Sequence, residues 1–393
     1  MAKTKVLISG AGIAGPTLAF WLRAHGFQPT IVERAPRLRT GGYIVDFWGA
    51  GFDVADRMGL VPEILRRGYQ IEEVREVNGN GKRAGAFPVR ALKGLTGGRF
   101  TSLPRSDLSA IVFDALGDQV ETIFDDSITD IEDLGEHVRV HFERTPPRTF
   151  DLVIGADGLH SQVRQLVFGE DARFERYLGL KVAAFVAAGY RPRDELVYVT
   201  HTDVGQQVGR FAMRDDRTMF LFIFTDPTPD IPADLRGQKA RLRERFWSSG
   251  WECLDILAAL KAVDTLYVDR VSQIQMDRWT HGRVALVGDA ACCVSLLGGQ
   301  GSALAMTAAY ILAGELKWAA GDHRAAFARY HERLGAFIAA KQQAAVRLST
   351  FFAPTSRFRL LLRNQVMNLM SIPFVTELAV GRELSDRLEL PEY

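Results

Sequence analysis

The sequence predicts an α/β protein in which a parallel-sheet domain is interleaved with a strand-rich second domain and followed by a helical C-terminus. Three observations predict this architecture. A short buried strand, a glycine-rich turn and an amphipathic helix open the chain over residues 6–26. Two later buried strands also end in turns that contain glycine and aspartate, at 155–158 and 288–289. Patterns of period two, typical of half-buried strands, lie between these segments.

The first element is a strand–turn–helix unit that continues into a second strand. Residues 6–8 are a buried strand, Gly10-Ala11-Gly12-Ile13-Ala14-Gly15 is the turn, and Gly26 is a plausible helix stop. The second strand, 29–32, ends at Glu33. This is a Rossmann-like βαβ beginning.

The positions of the glycines and of the acid predict dinucleotide binding. Gly10 permits the tight turn, Gly12 lets a pyrophosphate approach the backbone, and Gly15 allows the helix to pack closely on the strand. The helix N-terminus supplies oriented N–H groups for the phosphates, and Glu33 can accept hydrogen bonds from a ribose. This motif does not by itself distinguish FAD from NAD.

The next elements alternate between helix and strand. Short helical patterns span about 50–58 and 62–67, and Asn78-Gly79-Asn80-Gly81 predicts a hairpin. Ser106 is expected to cap a helix that runs to residue 116, and the alternation over 138–142 predicts a strand.

The segment 219–224 indicates that the second sheet is covered on both faces. On a strand, alternate side chains share a face, which groups Phe220, Phe222 and Phe224 opposite the three aliphatic residues. Both groups are apolar, so we interpret the phenylalanines as core rather than as the lining of a substrate pocket. Helices follow, then a strand over 284–287, and beyond residue 301 the chain is almost wholly helical.

The composition is that of an ordinary globular protein. The chain has 393 residues, 48 Lys and Arg against 47 Asp and Glu, a formal net charge of +1, and 47% hydrophobic residues. A disordered chain would contain fewer large apolar residues. A protein that binds nucleic acid by bulk electrostatics would carry a basic excess. We therefore expect a globular protein that does not bind nucleic acid.

Cysteine usage indicates a reducing compartment. The chain contains three cysteines, Cys253, Cys292 and Cys293, which cannot form a disulfide framework and match no metal-ligand spacing. Glycines interrupt the apolar N-terminus and the apolar stretch 290–314, which argues against a signal peptide and against a membrane span. We expect a cytoplasmic protein with reduced buried thiols, no metal and no stable membrane insertion.

The three glycine-containing motifs at 10–15, 155–164 and 288–291, in this order and at this spacing, resemble the single-component FAD-dependent aromatic hydroxylases (group A flavoprotein monooxygenases). The pattern is closest to the branch that contains the tetracycline-inactivating monooxygenases, and the resemblance spans essentially the whole chain. It implies a tightly bound, non-covalent FAD, NAD(P)H as a transient hydride donor, and O₂ as the oxidant. A flavin C4a-hydroperoxide would then oxygenate an aromatic, phenolic or polyketide-like small molecule.

The resemblance also implies which residues hold the cofactor. Arg105 matches an arginine that reaches the flavin's linking chain, Asp157 belongs to the second motif, and Asp289 matches an aspartate that binds the ribityl hydroxyls. Backbone N–H groups of the loop 299–301 would face the flavin pyrimidine edge. The implied FAD-binding set is Gly10, Gly12, Gly15, Glu33, Arg34, Arg105, Asp157, Asp289, Gly299 and Gly301. No catalytic side chain is named, and His160 is expected to face solvent or to cap a helix.

Several positions depart from the family pattern, among them Ser302-Ala303 in place of an asparagine and Ala308-Ala309 in place of an aspartate–alanine pair. Cys292 replaces a histidine, Leu296 replaces a proline over the isoalloxazine, and Trp48 stands where an arginine is frequent. The departures at Cys292 and Leu296 keep an FAD-dependent dehydrogenase, reductase or oxidase open as an alternative. A non-catalytic flavin-binding protein is a third hypothesis. The sequence does not separate NADH from NADPH, and it does not indicate the substrate or the oligomeric state.

The strand-rich segments lie between the three motifs, which predicts discontinuous domains. We expect the FAD-binding domain over 1–68, 100–175 and 276–345. We expect the substrate domain over 69–99 and 176–275. The C-terminal residues 346–393 are expected to form helices that pack across both domains, with 357–380 a packed helix rather than a membrane-surface one.

Overall fold

The structure is a computed structural model that describes residues 3–39, 41–370, 372–376 and 388–393. The strands are β1 Lys5–Ser9, β2 Gln28–Glu33, β3 Ile44–Trp48, β4 Glu73–Val77, β5 Arg83–Pro88, β6 Phe100–Pro104, β7 Glu121–Phe124, β8 Ile128–Asp133, β9 Val138–Phe142, β10 Arg148–Phe150, β11 Leu152–Gly155, β12 Glu175–Ala188, β13 Val197–Asp203, β14 Gln206–Met213, β15 Arg217–Thr225, β16 Tyr267–Ile274, β17 Thr280–His281 and β18 Val284–Leu286.

The helices alternate with these strands in the first half of the chain and dominate its end. They are α1 Ala14–Ala24, α2 Ala50–Arg57, α3 Val61–Arg67, α4 Arg90–Leu95, α5 Arg105–Asp114, α6 Gln162–Phe168, α7 Leu235–Phe246, α8 Cys253–Ala262, α9 Asp289–Cys292, α10 Gly301–Trp318, α11 His323–Phe352, α12 Arg357–Leu369 and α13 Pro373–Thr376.

The first sheet confirms the predicted parallel core. Its strand order is β17-β18-β11-β1-β2-β7, and β18, β11, β1, β2 and β7 run parallel to one another. In a parallel sheet the strands end at the same edge, so the turns that follow β1, β11 and β18 are neighbours. Helices α1 and α10 pack together over this sheet, and Gly51 of α2 packs directly on the backbone of Ala303 in α10.

The second sheet has seven strands in the order β16-β12-β15-β14-β13-β4-β5. The predicted hairpin at 78–81 joins β4 to β5. Phe220, Phe222 and Phe224 of β15 are buried in one cluster with residues of α7 and α8, which confirms that they are core. On the opposite face of β15, Met219 and Ile223 are also buried, so the prediction of a sheet covered on both sides is correct.

Two smaller sheets complete the fold. Strands β8, β9 and β10 form a three-stranded sheet, and β3 pairs with β6 in an antiparallel ribbon. The prediction that Ser106 caps α5 is wrong, because α5 begins at Arg105 and its N-cap is Pro104, with no side-chain cap hydrogen bond. Proline has no N–H to satisfy at this position and its φ is preset, so the helix starts two residues earlier than the serine signal indicates.

The C-terminal elements contact the second sheet and helix α10. Helix α12 packs on β5 of the second sheet, whereas residues 388–393 return to α10, where the Tyr310 hydroxyl donates to the Pro391 carbonyl at 2.7 Å. Helix α11 runs straight through the expected boundary at 345–346. Of the expected helix 357–380, residues 371 and 377–380 lie outside the described residues. No described helix combines the length and apolar character that a membrane crossing requires.

Candidate functional site

Three turns lie side by side at the carboxyl edge of the first sheet. The Gly10 N–H donates to the Val32 carbonyl at 2.7 Å, and the Ala156 N–H donates to the Ser9 carbonyl at 2.8 Å. The Val287 N–H donates to the Gly155 carbonyl at 2.9 Å. These hydrogen bonds continue the pairing of the strands beyond their ends, and they bring the three sequence motifs into one recess.

The three glycines of the first turn have different surroundings. Gly10 has φ +106°, and a Cβ there would lie 2.6 Å from the Ala156 carbonyl oxygen. A Cβ at Gly15 would overlap the Gly10 carbonyl oxygen. Gly12 has nothing within 4 Å of such a Cβ. Gly10 and Gly15 therefore serve the packing of the turn, whereas Gly12 faces the open recess in front of the α1 N-terminus.

Glu33 is held firmly at the same edge. Its Oε2 accepts from the Ala11 N–H at 2.8 Å, and its Oε1 accepts from the Ala35 N–H at 2.9 Å. The carboxylate thus bridges the glycine-rich turn and the end of β2, with its side chain only 12% exposed. Arg34, the next residue, is exposed to solvent.

Asp157 is engaged within its own motif. Its Oδ1 accepts from the Ser161 hydroxyl at 2.5 Å, and its Oδ2 accepts from the Val163 N–H at 3.1 Å. Burial raises the pKa of Asp157, and the hydrogen bonds from Ser161 and Val163 oppose that rise. Asp157 therefore orders the start of α6 at the edge of the recess.

Arg164 links the second motif to the third, a contact that sequence reasoning missed. It is fully buried, and it donates to the Leu159 carbonyl at 2.6 Å and to the Ala290 carbonyl at 2.9 Å. Its Nε and Nη2 both reach Asp171 Oδ1, at 3.0 and 2.6 Å. The sequence signal that could have revealed this contact is that Arg164 is the one charged residue of α6, whose other residues are mostly apolar. An arginine in such a helix indicates a buried, paired charge.

Asp289, Arg105 and Gly301 surround the far end of the recess. Asp289 is the first residue of α9, and a Cβ at Gly301 would lie 3.8 Å from its Oδ1. Burial raises the pKa of Asp289, and the positive charge of Arg105 opposes that rise. Arg105 itself opens α5 and is exposed.

Helix α10 presents its N-terminus to this end of the recess. Gly299, just before it, adopts the left-handed conformation with φ +65°. The first N–H bonded within the helix is that of Leu304, which donates to the Gln300 carbonyl at 2.9 Å. The N–H groups of the first turn precede it and have no acceptor within the helix, so they add positive partial charge to the recess.

Trp48 lies against the loop that precedes α10. Its ring is 3.4 Å from the position that a Cβ on Gly299 would take. The side chain is 6% exposed, and its indole Nε1 is buried with no hydrogen-bond partner in the described part of the chain. A buried unpaired donor costs stability, so this N–H is available to donate to a bound group.

The second sheet contributes a polar cluster opposite the motifs. Asp269 of β16 accepts from the Tyr267 hydroxyl at 3.3 Å, and its other oxygen lies 3.1 Å from His160 Nε2. The rings of Tyr267 and Tyr43 lie 5.5 Å apart. The expectation for His160 is revised, because Ser161 is the cap of α6 and His160 reaches across to the second sheet.

The cysteines behave as expected. Cys253, Cys292 and Cys293 are free and buried. Burial raises the pKa of the Cys292 and Cys293 thiols well above their ordinary value, and the nearby Asp289 charge adds to the effect. Both thiols stay protonated, so neither is a nucleophile at neutral pH.

A family model described as an FAD binding domain matches residues 3–340. The chain belongs to this FAD-binding family. A flavin-dependent monooxygenase from a prokaryote of unknown identity is 36% identical over 99% of this chain and 99% of its own length. An uncharacterized protein of Mycobacterium tuberculosis is 40% identical over 86% of this chain and 91% of that protein.

The fold comparison agrees with the sequence comparison. The crystal structure of the tetracycline destructase Tet(51) superposes with a TM-score of 0.84 at 33% identity, and the match covers 100% of both chains. The resemblance to the FAD-dependent aromatic hydroxylases and the predicted fold class are thereby confirmed. This FAD-binding chain is a flavin-dependent monooxygenase, and therefore an oxidoreductase.

The recess of this FAD-dependent monooxygenase suits its cofactor on three independent grounds. The open face of Gly12 before α1 leaves room for a pyrophosphate. The N-terminus of α10 offers unpaired N–H groups to an anionic ring edge. The indole N–H of Trp48 on β3 is buried and has no acceptor among the described residues.

Proposed function

We propose that this FAD-dependent monooxygenase takes a hydride from NADH or NADPH and uses O₂ to oxygenate an aromatic, phenolic or polyketide-like small molecule. The observation that carries the proposal is the recess itself, where three glycine-containing turns of the parallel sheet meet beside the second sheet, which His160 reaches at Asp269. When bound, FAD accepts the hydride and delivers the electrons to O₂. The protein supplies orientation, electrostatics and protection from water.

Each part of the recess has a proposed task toward FAD. Gly12 and the α1 N-terminus would hold the pyrophosphate, because backbone N–H groups and the helix dipole favour anions there. Glu33 and Arg34 would bind the adenosine ribose end, Arg105 the linking chain, and Asp289 the ribityl hydroxyls. The proposed contacts are Gly10, Gly12, Gly15, Glu33, Arg34, Arg105, Asp157, Asp289, Gly299 and Gly301.

The groups proposed to lie near the flavin ring would set the electrostatic potential around it. The first turn of α10 would stabilise negative charge that develops on the ring. Asp289, whose pKa burial raises, is suited to donate a hydrogen bond as well as to accept one. Arg105 would keep the surroundings of Asp289 positive. No step assigned to these residues requires a metal ion.

The proposed division of labour extends to the domains. We propose that 1–68, 100–175 and 276–345 hold FAD and that 69–99 and 176–275 form the substrate side. Residues 346–393 would join the two parts. The three free buried cysteines support a reducing, cytoplasmic location.

The similarity to Tet(51), a tetracycline destructase, makes a tetracycline-like polyketide the first substrate to try. The decisive experiment uses the purified FAD-loaded protein with tetracycline and a panel of phenols. We expect substrate-dependent oxidation of NADH or NADPH, with one oxygen atom from ¹⁸O₂ in the product. Turnover under strict anaerobiosis would contradict the proposal, and hydrogen peroxide release without oxygen incorporation would indicate an oxidase instead.

A further inference from the structure

Strand β3 places one carboxyl group between the proposed flavin loop and the second sheet. Alternate residues share a face of a strand, so Ile44, Asp46 and Trp48 lie on one side of β3. Trp48 contacts the loop at Gly299, and the Ile44 N–H lies 3.2 Å from the Met219 sulfur of β15. Ile44 and Trp48 also belong to one cluster with Met219 and Phe211 of the second sheet, so the face of β3 that carries Asp46 is turned toward that sheet.

One oxygen of the Asp46 carboxyl group accepts a hydrogen bond, and the other accepts none from the described residues. Ser102, directly opposite on β6, donates its hydroxyl to Asp46 Oδ1 at 2.5 Å. Within the described residues, Oδ2 accepts no hydrogen bond. Asp46 is accessible to solvent, although Ser102 and Trp48 beside it are buried. The open oxygen of Asp46 is therefore accessible to a ligand that enters between β3 and the second sheet.

The surroundings of Asp46 favour a basic carboxylate. Asp46 meets solvent, but the atoms packed around it desolvate the carboxyl group and raise its pKa, and the hydrogen bond from Ser102 opposes that rise only in part. On the second sheet, the Tyr198 hydroxyl lies against Gly209, and burial together with the Asp46 charge raises its pKa, so this phenol stays protonated. A carboxylate in such a cleft is a candidate for proton transfer.

We propose that Asp46 is a catalytic residue that binds the acidic hydroxyl of a phenol or enol substrate and removes its proton. The inference rests on the proposed function and adds a residue to it. The substrate O–H bond breaks, a new O–H bond forms at Asp46 Oδ2, and the electron pair left on the substrate oxygen makes the adjacent ring or enol carbon more nucleophilic. The proton then passes to solvent when the product leaves.

The test compares Asp46→Asn with the wild-type FAD-loaded protein on tetracycline and on phenol, 4-chlorophenol and 4-nitrophenol. Asparagine keeps the shape and can still accept from Ser102, but it cannot take a proton. We expect kcat to fall by about 10²–10⁴-fold on weakly acidic phenols, with KM changed much less. The loss should shrink along the series as the hydroxyl becomes more acidic, because an ionised substrate needs no base.

Two further variants separate this role from a structural one. Asp130→Asn removes an exposed carboxylate on β8 and should leave kcat unchanged. Ser102→Ala frees the Asp46 carboxyl and should cause a smaller loss. FAD absorbance and thermal unfolding of each variant report folding and cofactor content directly.

The outcomes distinguish the two proposals. If Asp46→Asn binds FAD and keeps the wild-type kcat, or if its loss is the same for every phenol, Asp46 is not the base, while monooxygenation stands. If Asp46→Asn fails to bind FAD, Asp46→Glu, which retains a carboxylate, must restore turnover, or the assignment is wrong. If the wild-type protein oxygenates none of these compounds, the proposed substrate class falls, and this inference falls with it.

Discussion

At the scale of single residues, the first turn contains glycines with separable roles. Gly10 adopts a positive φ against the Ala156 carbonyl, whereas Gly12 has an ordinary φ and open space around it. We predict that Gly12→Ala leaves the free energy of unfolding of the FAD-free protein within about 0.5 kcal/mol of wild type. The added methyl group would occupy the proposed pyrophosphate position, so FAD affinity should fall at least about tenfold, or about 1.4 kcal/mol.

Gly10→Ala is the matched variant. Its methyl group would need a left-handed backbone and would overlap the Ala156 carbonyl, so the FAD-free protein should lose about 2–4 kcal/mol of stability. Urea unfolding of the FAD-free proteins and fluorescence titration with FAD measure the two effects. Wild-type FAD affinity in Gly12→Ala would remove Gly12 from the proposed contacts.

At the scale of elements, local patterns predicted the strands and the long helices because their signals lie within a few consecutive residues. The glycine-rich turn, the hairpin at 78–81 and the two apolar faces of β15 are such signals. The cap of α5 was missed because Pro104 presets the backbone before Ser106 can act as a cap. The contacts of His160 and Asp46 depend on partners more than 50 residues away, and no local pattern records them.

Among the contacts between elements, those of Arg164 should contribute most clearly to the free energy of unfolding. Its guanidinium joins the start of α6 to α9, and removing it would leave Asp171 and the Ala290 carbonyl without their buried donor. We predict that Arg164→Met destabilises the protein by about 3–5 kcal/mol. Arg164→Lys should lose less, since it keeps the charge but not the planar set of donors.

The measurement is urea unfolding of the FAD-loaded and FAD-free forms. Arg173→Met, at an exposed arginine just beyond α6, is the control and should be close to neutral. Because α9 begins with Asp289, we also expect weaker FAD binding in Arg164→Met. Equal stability of the Arg164 and Arg173 variants would contradict the assigned role.

At the scale of the whole molecule, the site could be located from the sequence because parallel strands share an edge. Asp157 and Asp289 each follow a buried strand, so the motifs had to meet once the strands were placed side by side. The substrate side could not be predicted in the same way. It depends on how β3 and β6 meet the second sheet, and that contact is decided by side chains such as Trp48 and Met219 from distant segments.

The position of helix α12 also could not be predicted from local sequence, because a buried ion pair with a distant residue attaches it. Arg363 of α12 lies 3.1 Å from Glu76 Oε2 on β4, and both are buried. Glu76 also accepts from the Thr200 hydroxyl at 2.6 Å and from the Thr202 N–H at 2.8 Å. We predict that Arg363→Met costs about 3–5 kcal/mol, because it leaves a buried carboxylate without its cation.

The double variant Glu76→Gln with Arg363→Met tests the cause of that loss. The glutamine carbonyl oxygen can still accept from the Thr202 N–H, and its amide N–H can donate to the Thr200 hydroxyl, while the uncompensated charge is removed, so the pair should recover most of the stability that Arg363→Met loses. Arg359→Met, at an exposed position on the same helix, should be nearly neutral. Urea unfolding and the rate of proteolysis within α12 measure both effects. If the double variant is as unstable as Arg363→Met alone, packing of the arginine stem over Phe351, whose ring centroid lies 4.6 Å from the guanidinium carbon, holds the helix instead of charge.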